Sequence, residues 1–149
     1  MAYTTFISYA HEDKQYLAGL LKHLSTLVRQ NLISRWYDGD ILPGTEWHAQ
    51  IMQHVRTDQI ILLLISPDFM ASDFCYSIEM DEALKRHAAG QVRVIPILLR
   101  PTDWQDTPFA DLQMLPKDAK PVSTWSDRDS AYINVVKGIR RAIQDLHPV

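Results

Sequence analysis

The sequence predicts an α/β protein: a flavodoxin-like, three-layer domain with a five-stranded parallel sheet (order 2-1-3-4-5) and helices on both faces. Three observations carry that reading. Strand-like and helix-like stretches alternate five times along 149 residues, the pattern of strand-helix-strand units joined by right-handed crossovers. The run Ile60-Ile61-Leu62-Leu63-Leu64-Ile65 is too short to span a membrane and lacks polar alternation, as a strand buried on both faces would. After it, Ser66-Pro67 turns the chain toward a helix that carries Glu79 near the carboxyl edge of the central strand, the edge at which open α/β sheets bind ligands.

Each element has its own justification. Thr5-Phe6-Ile7-Ser8-Tyr9 is β-prone, and the acidic residues of Ala10-His11-Glu12-Asp13 suit a helix entry. Leu17, Leu20, Leu21, Leu24 and Val28 recur at helical spacing, leaving Lys14, Lys22, His23 and Arg29 for the solvent side. Leu32-Ile33-Ser34-Arg35-Trp36-Tyr37 is mixed in polarity, as an edge strand would be, and gives way to the turn-rich Asp38–Thr45 stretch. Ile41 and Leu42 within that loop expose apolar surface unless something covers them, so they are candidates for an interface. Thr45 is placed to cap a helix with Trp47, Ile51 and Val55 on one side.

After the buried strand, Ser72 or Asp73 is expected to cap the next helix, putting Glu79 about two turns in; the helix stops near Gly90. Val92–Leu99 reads as the fourth strand, with Pro96 near its carboxyl end, where no ladder donor is needed. The proline-interrupted stretch from Arg100 to Ala119 reads as a long connection. Lys120–Trp125 is expected as a fifth, edge strand, and Tyr132, Val136, Ile139, Ile143 and Leu146 mark a closing helix.

Composition narrows the function. The length suits one domain, residues 1–149, and a net charge of -3 with no block of like charge gives nucleic-acid binding little support. No apolar run approaches the roughly eighteen residues of a membrane span, so no direct membrane contact is expected. A single cysteine and an amino terminus without signal-peptide character point to a cytoplasmic setting. There is no Gly-x-Gly-x-x-Gly, no phosphate loop and no helical histidine pair, so neither a bound cofactor nor a metal is expected. Cys75 reads as a small buried apolar residue, and Lys85, Arg86 and Arg93 as scattered solvated cations.

Three stretches together resemble a known family. Phe6-Ile7-Ser8-Tyr9-Ala10-His11-Glu12-Asp13 resembles the first box of Toll/interleukin receptor (TIR) domains. Asp40-Ile41-Leu42-Pro43-Gly44-Thr45-Glu46-Trp47 is similar to the second, the BB loop, and Ser66-Pro67-Asp68-Phe69 through Phe74-Cys75 to Glu79-Met80 is similar to the segment holding the catalytic glutamate of TIR enzymes. The likeness extends through Val94-Ile95-Pro96-Ile97 to the last helix and is greatest to bacterial members. It implies self-association and, in many members, cleavage of NAD+ at the nicotinamide-ribose bond to ADP-ribose or a cyclic isomer used in antiphage signalling. NAD+ is then substrate, not cofactor. Other members are non-catalytic scaffolds for homotypic TIR-TIR contact.

Carried over by position, the resemblance makes Glu79 catalytic and Trp47 an aromatic flank of the nicotinamide pocket, with Ser8 and Tyr9 lining the strand end. Leu42, Pro43 and Gly44, with Ile41, form the loop tip that closes over the site or docks on a neighbouring copy. The family often has Trp four residues before the glutamate; here Cys75 occupies that position and Phe74 lies five before it. Such domains are also often fused to, or paired with, a sensor or effector domain. Without the resemblance, Glu79 would read as an acidic residue solvating the start of a helix, Trp47 as core, and Ser8 and Tyr9 as a strand end.

Overall fold

A computed structural model describes residues 2–37, 47–72 and 77–146, without the side chains of residues 36, 37, 47 and 48. Four strands, β1 (Tyr3–Ser8), β2 (Ile33–Tyr37), β3 (Ile60–Ile65) and β4 (Arg93–Leu98), form a parallel sheet in the order β2-β1-β3-β4. The helices are α1 (Lys14–Arg29), α2 (Trp47–Thr57), the short α3 (Pro67–Ala71), α4 (Ile78–Ala88) and α5 (Arg128–Leu146).

The period of two along β3 sorts the core. Ile60, Leu62 and Leu64 pack with Leu17, Leu20 and Leu24 of α1 and Val135, Ile139 and Ile143 of α5. Ile61, Leu63 and Ile65 pack on the other face with Ile51 and Val55 of α2 and Met80 and Ala83 of α4. All six β3 residues are fully buried, each contributing roughly 1.5–3 kcal/mol of apolar burial, so a polar residue anywhere in the strand would meet no water. This is why the run shows no alternation.

Helix ends follow local chemistry. Asn31 adopts a left-handed backbone (φ 57°) and lets Leu32 N–H donate to Leu27 O at 2.9 Å, closing α1. Gly90 (φ 75°) does the same for α4, where Gln91 N–H donates to Arg86 O at 2.9 Å.

Several expectations are corrected. The fifth strand at Lys120–Trp125 is absent: its centre, Val122–Thr124, is a 3-10 turn held between Pro121 and Trp125. Pro121 removes a ladder donor from that stretch. The outer side of β4 is met instead by Leu115, whose N–H donates to Pro96 O at 3.0 Å and whose carbonyl accepts Leu98 N–H at 2.7 Å.

Pro96 is the fourth of six residues in β4, not near its end. Arg93 and Leu99 donate toward β3, to Gln59 O at 3.0 Å and Ile65 O at 2.8 Å, so even-numbered positions face outward and the missing donor of Pro96 costs the inner ladder nothing. His23 is not simply solvated: it stacks on Tyr132 at 5.3 Å between centroids and hydrogen-bonds Asp129 at 3.0 Å, tying α1 to α5. Arg86 is likewise no free surface cation. Its guanidinium donates to Val55 O, Asp58 O and Gln91 O, linking the end of α2 to the end of α4.

Candidate active site at the carboxyl edge of the sheet

The strand order sets the place. From β1 the chain crosses by α1 to β2 on one side, then returns by α2 to β3 on the other, so the direction of winding reverses between β1 and β3. At such a switch point the two following loops diverge and leave a crevice beyond the carboxyl ends of the strands. The loops that border it here begin at Ser8-Tyr9 and at Ser66-Pro67.

Glu79 reaches this edge by a route that differs from expectation. Ser72 does not start the helix: its N–H and hydroxyl both donate to Phe69 O, at 3.0 and 2.6 Å, and so terminate α3. The cap of α4 is Ser77, whose Oγ accepts Met80 N–H at 3.1 Å. Glu79 is therefore the second residue of α4, inside the first turn and not two turns along it. There the macrodipole favours a negative charge most. The residue is only 6% exposed, beside buried Met80, which is far from a solvated acidic face.

Ser8 ends β1 and is 7% exposed; Tyr9 is half-buried, packing on the α1/α5 core with its ring edge-on to His11 at 5.8 Å. The fold thus carries Ser8, Tyr9 and Glu79 to one edge. Trp47 opens α2, but its side chain lies outside the described residues. Ile41, Leu42, Pro43, Gly44, Phe74 and Cys75 lie outside them as well.

At the same carboxyl edge lies a buried polar cluster that the sequence reading did not single out. Asp13 (1% exposed) accepts a hydrogen bond from Ser66 Oγ and two contacts from Arg100, Nε at 3.1 Å and Nη2 at 2.9 Å. The same Nη2 reaches Asp68 of α3, and Ser66 Oγ accepts Phe69 N–H at 3.0 Å. Burial alone would lower the Arg100 pKa, but hydrogen bonds and charge from Asp68 and Asp13 outweigh it and raise it. The guanidinium is a permanent cation. One available signal was a charged residue, Arg100, ending the otherwise apolar run Val94–Leu99; another was Asp13 within the box that resembles the TIR pattern.

A second charged cluster lies at the opposite end of the sheet, where α2 ends before β3. Asp58 hydrogen-bonds His54 at 2.9 Å; burial raises its pKa, opposed by His54 and Arg86. Among the described residues no three His, Cys, Asp or Glu side chains converge as metal ligands would, and no helix is long and apolar enough to cross a membrane.

A doubly wound α/β domain with a carboxylate buried at its carboxyl edge is the class these features define. The family model described as TIR domain matches residues 5–133, and the chain belongs to the TIR domain family. An uncharacterized protein of Sinorhizobium fredii (strain NBRC 101917 / NGR234), y4lF, is 47% identical over 139 residues, covering 93% of this chain. The chain spans 43% of that relative's length. Among solved structures, the TIR domain of the Toll-related receptor TRR-2 of Hydra magnipapillata superposes with a TM-score of 0.62 at 24% identity, covering 93% of this chain and 99% of the other. The TIR domains of the activated Roq1 resistosome, which directly recognizes the pathogen effector XopQ, give 0.53 at 16% identity, covering 97% and 75%. These two likenesses speak to the fold.

Proposed function

We propose that this chain is an NAD+ glycohydrolase or cyclase that breaks the nicotinamide-ribose bond, with Glu79 as its catalytic carboxylate. The observation that carries the reading is the position of Glu79: nearly buried, in the first turn of a helix, at the ligand-binding edge of the sheet.

Most glycosidases need two carboxyl groups because the leaving oxygen must be protonated. In NAD+ the nicotinamide nitrogen is already cationic and departs as a neutral amine, so one carboxylate suffices. As the bond to C1′ breaks, positive charge develops on the ribose. A fixed carboxylate beside it stabilises that state more than the ground state, and low exposure of Glu79 strengthens the field it exerts. Tyr9 and Trp47 are the aromatic surfaces available to hold the flat nicotinamide, with Ser8 at the strand end and Phe74 and Cys75 ahead of α4. Water attacking C1′ gives ADP-ribose and a proton; a nucleophile from the adenosine half gives a cyclic isomer.

Assembly belongs to the same reading. The Roq1 TIR domains belong to an activated resistosome, which supports TIR-TIR contact as the switch, here through Ile41, Leu42, Pro43 and Gly44 of the loop before α2. The greater length of y4lF supports a sensor or effector accompanying the domain. A cytoplasmic enzyme of bacterial antiphage signalling fits these parts. Glu79→Gln keeps the shape and removes the charge, so turnover should fall by about 100-fold or more while self-association persists. Unchanged turnover would remove Glu79 from the mechanism.

A further inference from the structure

We infer that Arg100 is a positioning residue of the proposed NAD+ site: with Asp13 and Asp68 it fixes the two loops bordering the crevice in register. The inference deepens the glycohydrolase reading and rests on it for the kinetic part of its test.

The geometry supports this from three sides. Arg100 follows β4, yet its guanidinium meets Asp68 just past β3 and Asp13 in the connection after β1. Neighbouring strands are about 4.8 Å apart, so the side chain crosses roughly two inter-strand spacings to do so. Its own backbone is held from behind, where Thr102 Oγ1 donates to Arg100 O at 2.7 Å.

The contacts also close a ring. Phe69 N–H donates to Ser66 Oγ, Ser66 Oγ donates to Asp13, Arg100 donates to Asp13 and to Asp68, and Asp68 precedes Phe69 in the chain. Movement of either loop must break a charged hydrogen bond. One arm of the ring, Ser66 with Asp68 and Phe69, precedes in sequence the segment leading to Ser77 and Glu79; the other, Asp13, sits in the connection that starts at Ser8 and Tyr9. Finally, the groups inside the ring are buried to different degrees. Asp13 and Ser66 are closed to solvent, whereas the side chain of Asp68 is 37% exposed, so its tie is separable from the fold.

Arg is suited to this and Lys is not its equal. A planar fork serves two carboxylates in different directions, whereas an ammonium at the end of a similar stem favours one.

The test uses Asp68→Asn, Arg100→Lys and Arg100→Gln in the whole chain, Asp68→Asn because it leaves the Asp13–Arg100 pair intact. Two readouts are needed: amide hydrogen exchange at Phe69 and Met80, and steady-state NAD+ cleavage. In Asp68→Asn, exchange at both amides should quicken by about 10-fold or more while the β3 amides keep their protection. Its kcat should fall by about 10-fold, with KM changed by less than about 3-fold, since a displaced carboxylate weakens the transition state more than substrate binding. Arg100→Lys should retain more activity than Arg100→Gln. Unchanged exchange at Phe69 and Met80 overturns the inference whether or not the chain cleaves NAD+. A loss confined to KM, or equal loss in the Lys and Gln variants, overturns it as well. A wild-type chain that leaves NAD+ intact refutes the glycohydrolase reading, and the exchange measurement still judges the clamp.

Discussion

Ser66→Ala is the sharpest probe of the buried cluster at the carboxyl edge. Ser66 is fully buried and its hydroxyl has two roles, capping α3 through Phe69 N–H and donating to the Asp13 carboxylate. Loss of an N-cap costs about 1 kcal/mol. Loss of a hydrogen bond to a charged group costs about 1.5–3 kcal/mol. Asp13 keeps both contacts from Arg100, so the larger penalty of a stranded buried charge does not apply. The sum is about 2.5–4 kcal/mol. For a urea m-value of about 2 kcal/mol/M this lowers the midpoint by roughly 1–2 M, with m unchanged. Far-UV circular dichroism during urea titration reads the shift. In an Asp13→Asn background the same substitution should cost only the cap and a neutral hydrogen bond, so the two changes are coupled by about 1–2 kcal/mol. A midpoint shift under about 0.3 M, or equal cost in both backgrounds, would refute the arrangement.

Two further outcomes follow from packing and titration. At Gly19 an added Cβ would lie 2.7–2.8 Å from the Tyr132 ring, which is 3% exposed and anchored by its hydroxyl donating to Tyr16 O at 3.1 Å. Gly19→Ala should therefore lower the thermal midpoint, overpacking of about 1–3 kcal/mol exceeding a helix-propensity gain of about 1 kcal/mol. His87 accepts Val94 N–H through Nδ1 at 3.0 Å, and burial, aided by the Arg93 charge, lowers its pKa. The unfolded chain thus takes up this proton first as pH falls through about 6.5, so the contribution of His87 is complete above that pH and is lost on acidification through the lower folded value. Wild-type unfolding should show a stability decline as pH falls below about 6.5 that is shallower in His87→Gln, whose side-chain carbonyl still accepts Val94 N–H; identical slopes would contradict this.

Apolar periodicity made the framework legible. The unbroken Ile60–Ile65 run and the spacing of Leu17, Leu20 and Leu24 each name a core face, and those faces are where the structure puts them. Polar decisions were harder to read. Ser72 and Ser77 are equally good caps in a sequence, and only the turn of α3 against β3 assigns Ser72 to an end and Ser77 to a beginning. The Lys120–Trp125 stretch looked like a strand because Val122 and Thr124 favour one, yet tertiary context gave the β4 edge to Leu115. Asp13, Asp68 and Arg100 are far apart in the chain, and no local pattern says that one guanidinium will collect two carboxylates. For Glu79, periodicity gave a helix and resemblance gave a role; its near-complete burial came only from the fold.

The measurement that bears most directly on function is NAD+ consumption by the purified chain across a range of protein concentrations, with products separated by chromatography. A TIR enzyme switched on by assembly should release nicotinamide in step with NAD+ loss, and its rate per protomer should climb with concentration. Intact NAD+ at every concentration, including crowded conditions that drive association, would contradict the assignment of Glu79 as a catalytic carboxylate.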